Sequence, residues 1–125
     1  MAVTKTWDIV AMDSAPTEGS LSDVVKTIHW NCRGTETVGS GESAVTYNSY
    51  SYGCVGLAAA DSSSFTDFAS ITKANAIAWA QAVIGADEVT AIETGLEAKI
   101  TEQKTPSIET KTLPWTWFID YNSYR

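Results

Sequence analysis

The sequence predicts an α+β fold: a three-stranded antiparallel β-meander followed by two helices packed on one face, with an extended C-terminal arm. Three observations predict it. Ahead of Leu57, apolar and polar residues alternate with the two-residue period of strands. After Thr72, apolar residues recur every three or four positions, the period of a helix. Beyond Pro106 a polar stretch leads into an aromatic segment that contains Leu113, Trp115, Trp117, Phe118 and Tyr121. The expected organisation is one α+β domain over residues 1–104, then a linker and aromatic arm over residues 105–125.

The first strand is expected over residues 3–12, with Trp7, Ile9 and Ala11 on one side and Asp8 and Val10 on the other. Residues 13–20 hold Pro16 and Gly19 and read as a turn or short loop. The second strand is expected over residues 21–33. Val24, Lys26, Ile28, Trp30 and Cys32 share one face, and Val25, Thr27, His29 and Asn31 the other. Gly34, Gly39 and Gly41 mark residues 34–43 as a flexible hairpin connection. In the third strand, residues 44–57, Tyr47, Ser49, Ser51, Gly53 and Val55 alternate with Asn48, Tyr50, Tyr52 and Cys54. The tyrosines change face between Tyr47 and Tyr50, which suggests a bulge or a sheet edge.

Residues 58–64 read as a crossing loop, and Phe65 and Phe68 as a cover for the end of the core. Thr72 is a suitable cap for a helix over residues 73–84. Its apolar face combines Ile77, Ala80 and Ile84 with Ala76 and Val83 beside them, and Trp79 widens it. Gly85 is placed to stop this helix, and Asp87 to cap the next. Val89, Ile92, Leu96 and Ile100 then give the strongest periodic signal in the chain. Glu93 and Glu97 form an acidic i,i+4 pair, which weakens a helix unless a cation faces it. Gly95 costs about 1 kcal/mol against Ala inside a helix and suggests a close contact. Pro106 ends the helix near Thr105. Trp7 or Trp30, with Ile77, Ile92 and Leu96, is the expected core.

The chain has 125 residues and a formal net charge of −7. Its eight basic residues include no adjacent pair. A nucleic-acid surface needs dense Lys and Arg, so no nucleic-acid partner is expected. Negative charge also opposes anionic lipid, and no run reaches transmembrane length, so no membrane partner is expected. No apolar run follows Lys5 as a secretory leader requires. Cys32 and Cys54 do not have metal or redox spacing. Two reduced, buried thiols are expected, with a disulfide open only if their strands are neighbours.

The order of several segments is familiar. A Trp7-Asp8-Ile9-Val10 strand precedes Ile28-His29-Trp30-Asn31-Cys32 and a Tyr52-Gly53 strand. Ala74-Asn75-Ala76-Ile77-Ala78-Trp79, Asp87-Glu88-Val89-Thr90-Ala91-Ile92-Glu93 and Leu113-Pro114-Trp115 follow. This order resembles a group of small proteins of tailed bacteriophages, including phages of marine bacteria and cyanobacteria. The likeness runs from about Trp7 to Trp115. It implies phage origin and a place in the virion, with the host cytoplasm as the compartment before assembly. It supplies no catalytic residues to carry over.

The residues themselves offer little chemistry. His29 is the only histidine and reads as a hydrogen-bonded residue of a sheet surface. Asp8, Asp13, Glu18 and Asp23 do not match a calcium loop and read as unrelated surface carboxylates. The glycines of residues 34–41 lack the Lys-Ser or Lys-Thr of a phosphate loop. No catalytic residue, metal or cofactor is expected. Leu113, Trp115, Trp117, Phe118 and Tyr121 are the expected partner-binding residues, because Trp and Tyr join apolar area to a polar handle. Tyr47, Tyr50 and Tyr52 form a candidate interface or ligand stripe. The expected function is a non-enzymatic virion structural protein, a capsid decoration or cement protein, whose partners are other virion proteins or copies of itself. A tail- or fibre-associated protein and a soluble phage factor that binds a host protein remain open alternatives.

Overall fold

The computed structural model describes residues 2–60 and 65–115. Three antiparallel strands, β1 (Thr4–Glu18), β2 (Leu21–Val38) and β3 (Val45–Gly56), form one sheet in the order β1-β2-β3. Two helices follow, α1 (Lys73–Ile84) and α2 (Ala86–Lys104). The α+β class and the meander are as the periodicities predict. The strands are longer than expected, because pairing runs through segments rich in turn residues. β1 continues past Pro16 to Glu18, where Glu18 pairs with Leu21 across a turn. Gly19 supplies the positive φ of 61° at that turn. β2 continues through Gly34 to Val38, so the second connection shrinks to residues 39–44.

A bulge in β1 corrects the expected faces. Ile9 pairs with Trp30 and Ala11 with His29, which leaves Val10 as an extra residue. Ahead of Val10 the inward residues are Trp7 and Ile9; beyond it, Met12 replaces Ala11 against the core. A second register shift lies between Asp13 and Ser14, and both Val24 and Val25 are buried near it. Asp23, with φ at 51°, starts that irregular stretch.

Ile28, Trp30, Cys32, Val55, Ala76, Ala80 and Leu96 build the core, with Ile100 also fully buried. Trp7 and Trp30 both contribute, with ring centroids 5.2 Å apart and planes tilted by 42°. Such pairs are worth about 0.5–1.5 kcal/mol beyond their burial. α1 meets the sheet through small residues, Ala76 and Ala80, rather than through the expected Ile77. Val83, expected beside that face, is exposed. Thr72 caps α1 in a full capping box: its hydroxyl accepts from Asn75 N, and Asn75 Oδ1 accepts from Thr72 N. Gly85 ends α1 at φ 93° and is also the residue preceding α2. Asp87 sits inside the first turn of α2 rather than at its cap, where its charge still suits the helix dipole.

α2 is seated across β2 and β3 by a close approach. A Cβ on Gly34 would lie 2.7 Å from Ser49 Oγ and 3.1 Å from Leu96 Cβ. Gly34 is therefore a packing glycine in a strand, not a hinge in a loop. Ser49 Oγ, buried, donates to the Leu96 carbonyl at 3.0 Å. Polar bonds flank this contact. Trp7 Nε1 donates to Glu93 Oε2 at 2.8 Å, and Lys5 pairs with Glu97. The acidic i,i+4 pair on α2 thus faces a cation and a donor from β1. Lys99 Nζ and Gln103 Nε2 donate to the β3 carbonyls of Tyr50 and Asn48, at 3.0 and 2.7 Å. These bonds occupy acceptors on the sheet edge, which otherwise invites pairing with another chain. Lys104 Nζ meets the buried Glu36 carboxylate at 2.9 Å.

Glu18 closes the far end. Its Oε1 pairs with Lys26 Nζ at 2.6 Å and its Oε2 accepts from Ala60 N at 2.8 Å. The hairpin tip thereby holds the start of the connection to α1. The Lys26 ammonium, then the Ala60 N–H, hold the Glu18 carboxyl below its ordinary value of 4.5. Residues 105–115 form no helix or strand, and Ser107 bonds back to Glu102 through both N and Oγ.

Neighbouring positions on α2 should respond oppositely. Leu96 is fully buried, so Leu96→Ala should cost about 2–5 kcal/mol in urea unfolding. At Gly95 a Cβ meets nothing within 4 Å, contrary to the close contact expected there. Gly95→Ala should therefore stabilise by up to about 1 kcal/mol. A destabilising Gly95→Ala would mean that α2 sits in another register.

Acid should loosen the Glu18 clasp. A carboxyl whose folded pKa is lowered contributes stability above its ordinary pKa and loses it as pH falls through the folded value. The melting temperature should drop as pH falls below the ordinary value of 4.5, and Glu18→Gln should make that drop shallower. An identical acid profile in the two proteins would rule out the clasp.

Candidate functional site

The two helices cover one face of the sheet and leave the other open. Alternation places β2 residues His29, Asn31 and Arg33 on the open face, with Asn48, Tyr50, Tyr52 and Cys54 of β3. Tyr52 is 83% exposed, Tyr50 58% and Val10 64%, values far above those of the opposite face. Val10, the extra residue of β1, lies on this face opposite the inward Ile9. Val10, His29, Asn31, Tyr50, Tyr52 and Cys54 line one shallow concavity.

The expected tyrosine stripe is therefore divided. Tyr50 and Tyr52 stand together on the open face, while Tyr47 is half-buried on the helix side with Ser49. No bulge separates them: β3 pairs with β2 in continuous register and is an edge strand. In the aromatic arm, Leu113 is 49% and Trp115 41% exposed. Trp117, Phe118 and Tyr121 lie outside the described residues.

Register also assembles a row that spacing in the sequence conceals. His29 pairs with Ala11 on one side and Cys54 on the other. Asp13, two residues beyond Ala11 and on the same outward face, places Oδ2 2.7 Å from His29 Nε2. Asp13, His29 and Cys54 thus cross all three strands. Directly opposed residues have Cβ atoms about 4.5–5.5 Å apart. Nothing local in the sequence marks this row, because its members come from three strands.

The two cysteines differ. Cys32 is buried on the helix side and pairs with Ser51; Cys54 is exposed on the open side and pairs with His29. Their strands are neighbours, but the side chains leave the sheet in opposite directions, so both thiols are free. The expectation of two buried thiols holds for Cys32 alone. Burial, reinforced by the Glu93 charge, pushes the Cys32 thiol up to about 11, with Lys5 opposing.

The early carboxylates do not converge. Asp8 accepts from Ile9 N at 2.8 Å and pairs with Lys73, and these two partners hold its pKa below the ordinary value. Asp13 serves His29, and Glu18 serves Lys26 and Ala60. Among the described residues no group of three His, Cys, Asp or Glu is arranged to hold a metal. No helix among them is long and apolar enough to cross a membrane. A separate apolar hollow of about 250 Å³ lies at the sheet end, between Val24, Val25, Leu57, Phe65, Ile71 and Trp79.

Residues 2–115 match the model of a family described as a domain of unknown function (DUF7936), and the chain belongs to that family. No curated protein and no solved structure matches it.

Proposed function

We propose that this member of the DUF7936 family is a non-enzymatic structural protein of a bacteriophage particle, a small module that binds neighbouring virion proteins as a capsid decoration or cement protein does. Its partners are other virion proteins or copies of itself. One observation carries the reading: large side chains with apolar area stand exposed on the open sheet face and after α2. Tyr50, Tyr52 and Val10 occupy the open sheet face, and Leu113 and Trp115 follow α2. Exposed aromatics of this kind are the usual anchors of protein interfaces.

The disposition of charge supports the same reading. Lys5, Lys26, Lys73 and Lys104 each pair with a carboxylate between elements, so much of the chain's basic charge is engaged in holding the fold. The remaining acidic surface keeps copies apart except where a defined contact forms. The phage assignment rests on the resemblance of the ordered segments from Trp7 to Trp115.

Mass spectrometry of purified particles, with heads and tails fractionated, tests the assignment. The protein should appear in the particle in many copies, with the heads. Presence in infected cells and absence from particles would favour a soluble host-binding factor and overturn the virion reading. A Tyr50→Ser/Tyr52→Ser protein and a truncation after Thr112 should both keep the thermal transition and lose particle occupancy. Full occupancy of both would show that neither surface is the anchor.

A further inference from the structure

We propose that Cys54 is a reactive thiol, with His29 as its base and Asp13 as the group that orients the base, and that it forms mixed disulfides by thiol–disulfide exchange. The inference stands independently of any role in a particle. Three features of the open face carry it. Cys54 is exposed and free, so a co-reactant reaches it without any movement of the fold. His29 is its direct partner across the β2–β3 ladder, and the two residues line the same concavity. Asp13 Oδ2 lies 2.7 Å from His29 Nε2, on the side of β1.

The chemistry follows from the tautomer. A carboxylate only accepts, so the Asp13 contact places the proton of neutral His29 on Nε2 and leaves a lone pair on Nδ1. That lone pair takes the proton of the Cys54 thiol. The thiolate then attacks one sulfur of a disulfide, R–S–S–R. A bond forms between Cys54 Sγ and that sulfur, the R–S–S–R bond breaks, and the other half leaves as a thiolate. The disulfide is the oxidant and the protein thiol is oxidised; no further electron acceptor is needed. Cys32 is the internal contrast. It lies in the core, its thiol is held up to about 11, and it should be inert in the folded protein.

The test uses the full chain and a symmetrical nitroaryl disulfide, whose coloured leaving thiolate reports each exchange. At neutral pH one thiol per folded chain should react, and peptide mapping should place the label on Cys54. His29→Gln and Asp13→Asn should each slow the reaction about fivefold, because each removes or disorders the group that takes the thiol proton. Cys54→Ser should abolish the fast phase. All three substituted residues are partly or fully exposed, and a thermal melt of each variant confirms folding. A label on Cys32 would overturn the proposal. So would a His29→Gln rate within twofold of the parent, or an Asp13→Asn rate unchanged while His29→Gln is slow.

Discussion

The contact between Leu96 and the sheet at Gly34 is the constraint on which the rest of the structure depends. A side chain at residue 34 would meet Ser49 and Leu96, so only glycine lets α2 lie this close. Once it does, Leu96 and Ile100 are fully buried, each worth about 1.5–3 kcal/mol. The polar bonds flanking α2 then fix its direction: Glu93 and Glu97 reach β1, and Lys99 and Gln103 reach β3. Ser49 donates to a helix carbonyl that would otherwise crowd a buried hydroxyl without a partner. By covering one face so fully, α2 and α1 leave the other face for solvent or a partner.

That division of faces gives the functional surface its character. The covered side takes the apolar residues and the buried thiol. The open side takes threonines, asparagines, two tyrosines and an exposed thiol. Val10 stands on the open side by alternation with the inward Ile9. The bulge at Val10 brings Asp13 to the side of His29, since it moves the inward position from Ala11 to Met12. One extra residue in β1 thus sets the Asp13–His29–Cys54 row.

Periodic elements were legible in the sequence, and irregular ones were not. The α1 boundaries follow from Thr72 and Gly85, and the burial of Leu96 and Ile100 from their helical spacing. β3 alternates as written, because its register with β2 has no interruption. The faces of β1 beyond Val10 do not follow from its alternation, because a bulge has no marker in a strand of ordinary composition. Gly34 looked like loop glycine, since the atoms that demand it, at Ser49 and Leu96, are distant in sequence. Gly95 is a helical glycine whose spacing suggests a close contact, yet its surroundings are open. The site residues divide the same way. Exposed aromatics are visible one at a time, while residues 13, 29 and 54 become neighbours only through the register of two hairpins.

Native-state hydrogen exchange of the backbone amides tests the seating of α2 most directly. If α2 and the sheet form one cooperative unit around Gly34 and Leu96, the amides of central β2 and of α2 near Leu96 and Ile100 should open with the same free energy, equal to that of global unfolding. Gly34→Ala should lower the protection of both elements together. Fast exchange of α2 beside a fully protected sheet, or loss of protection in α2 alone on Gly34→Ala, would contradict that dependence.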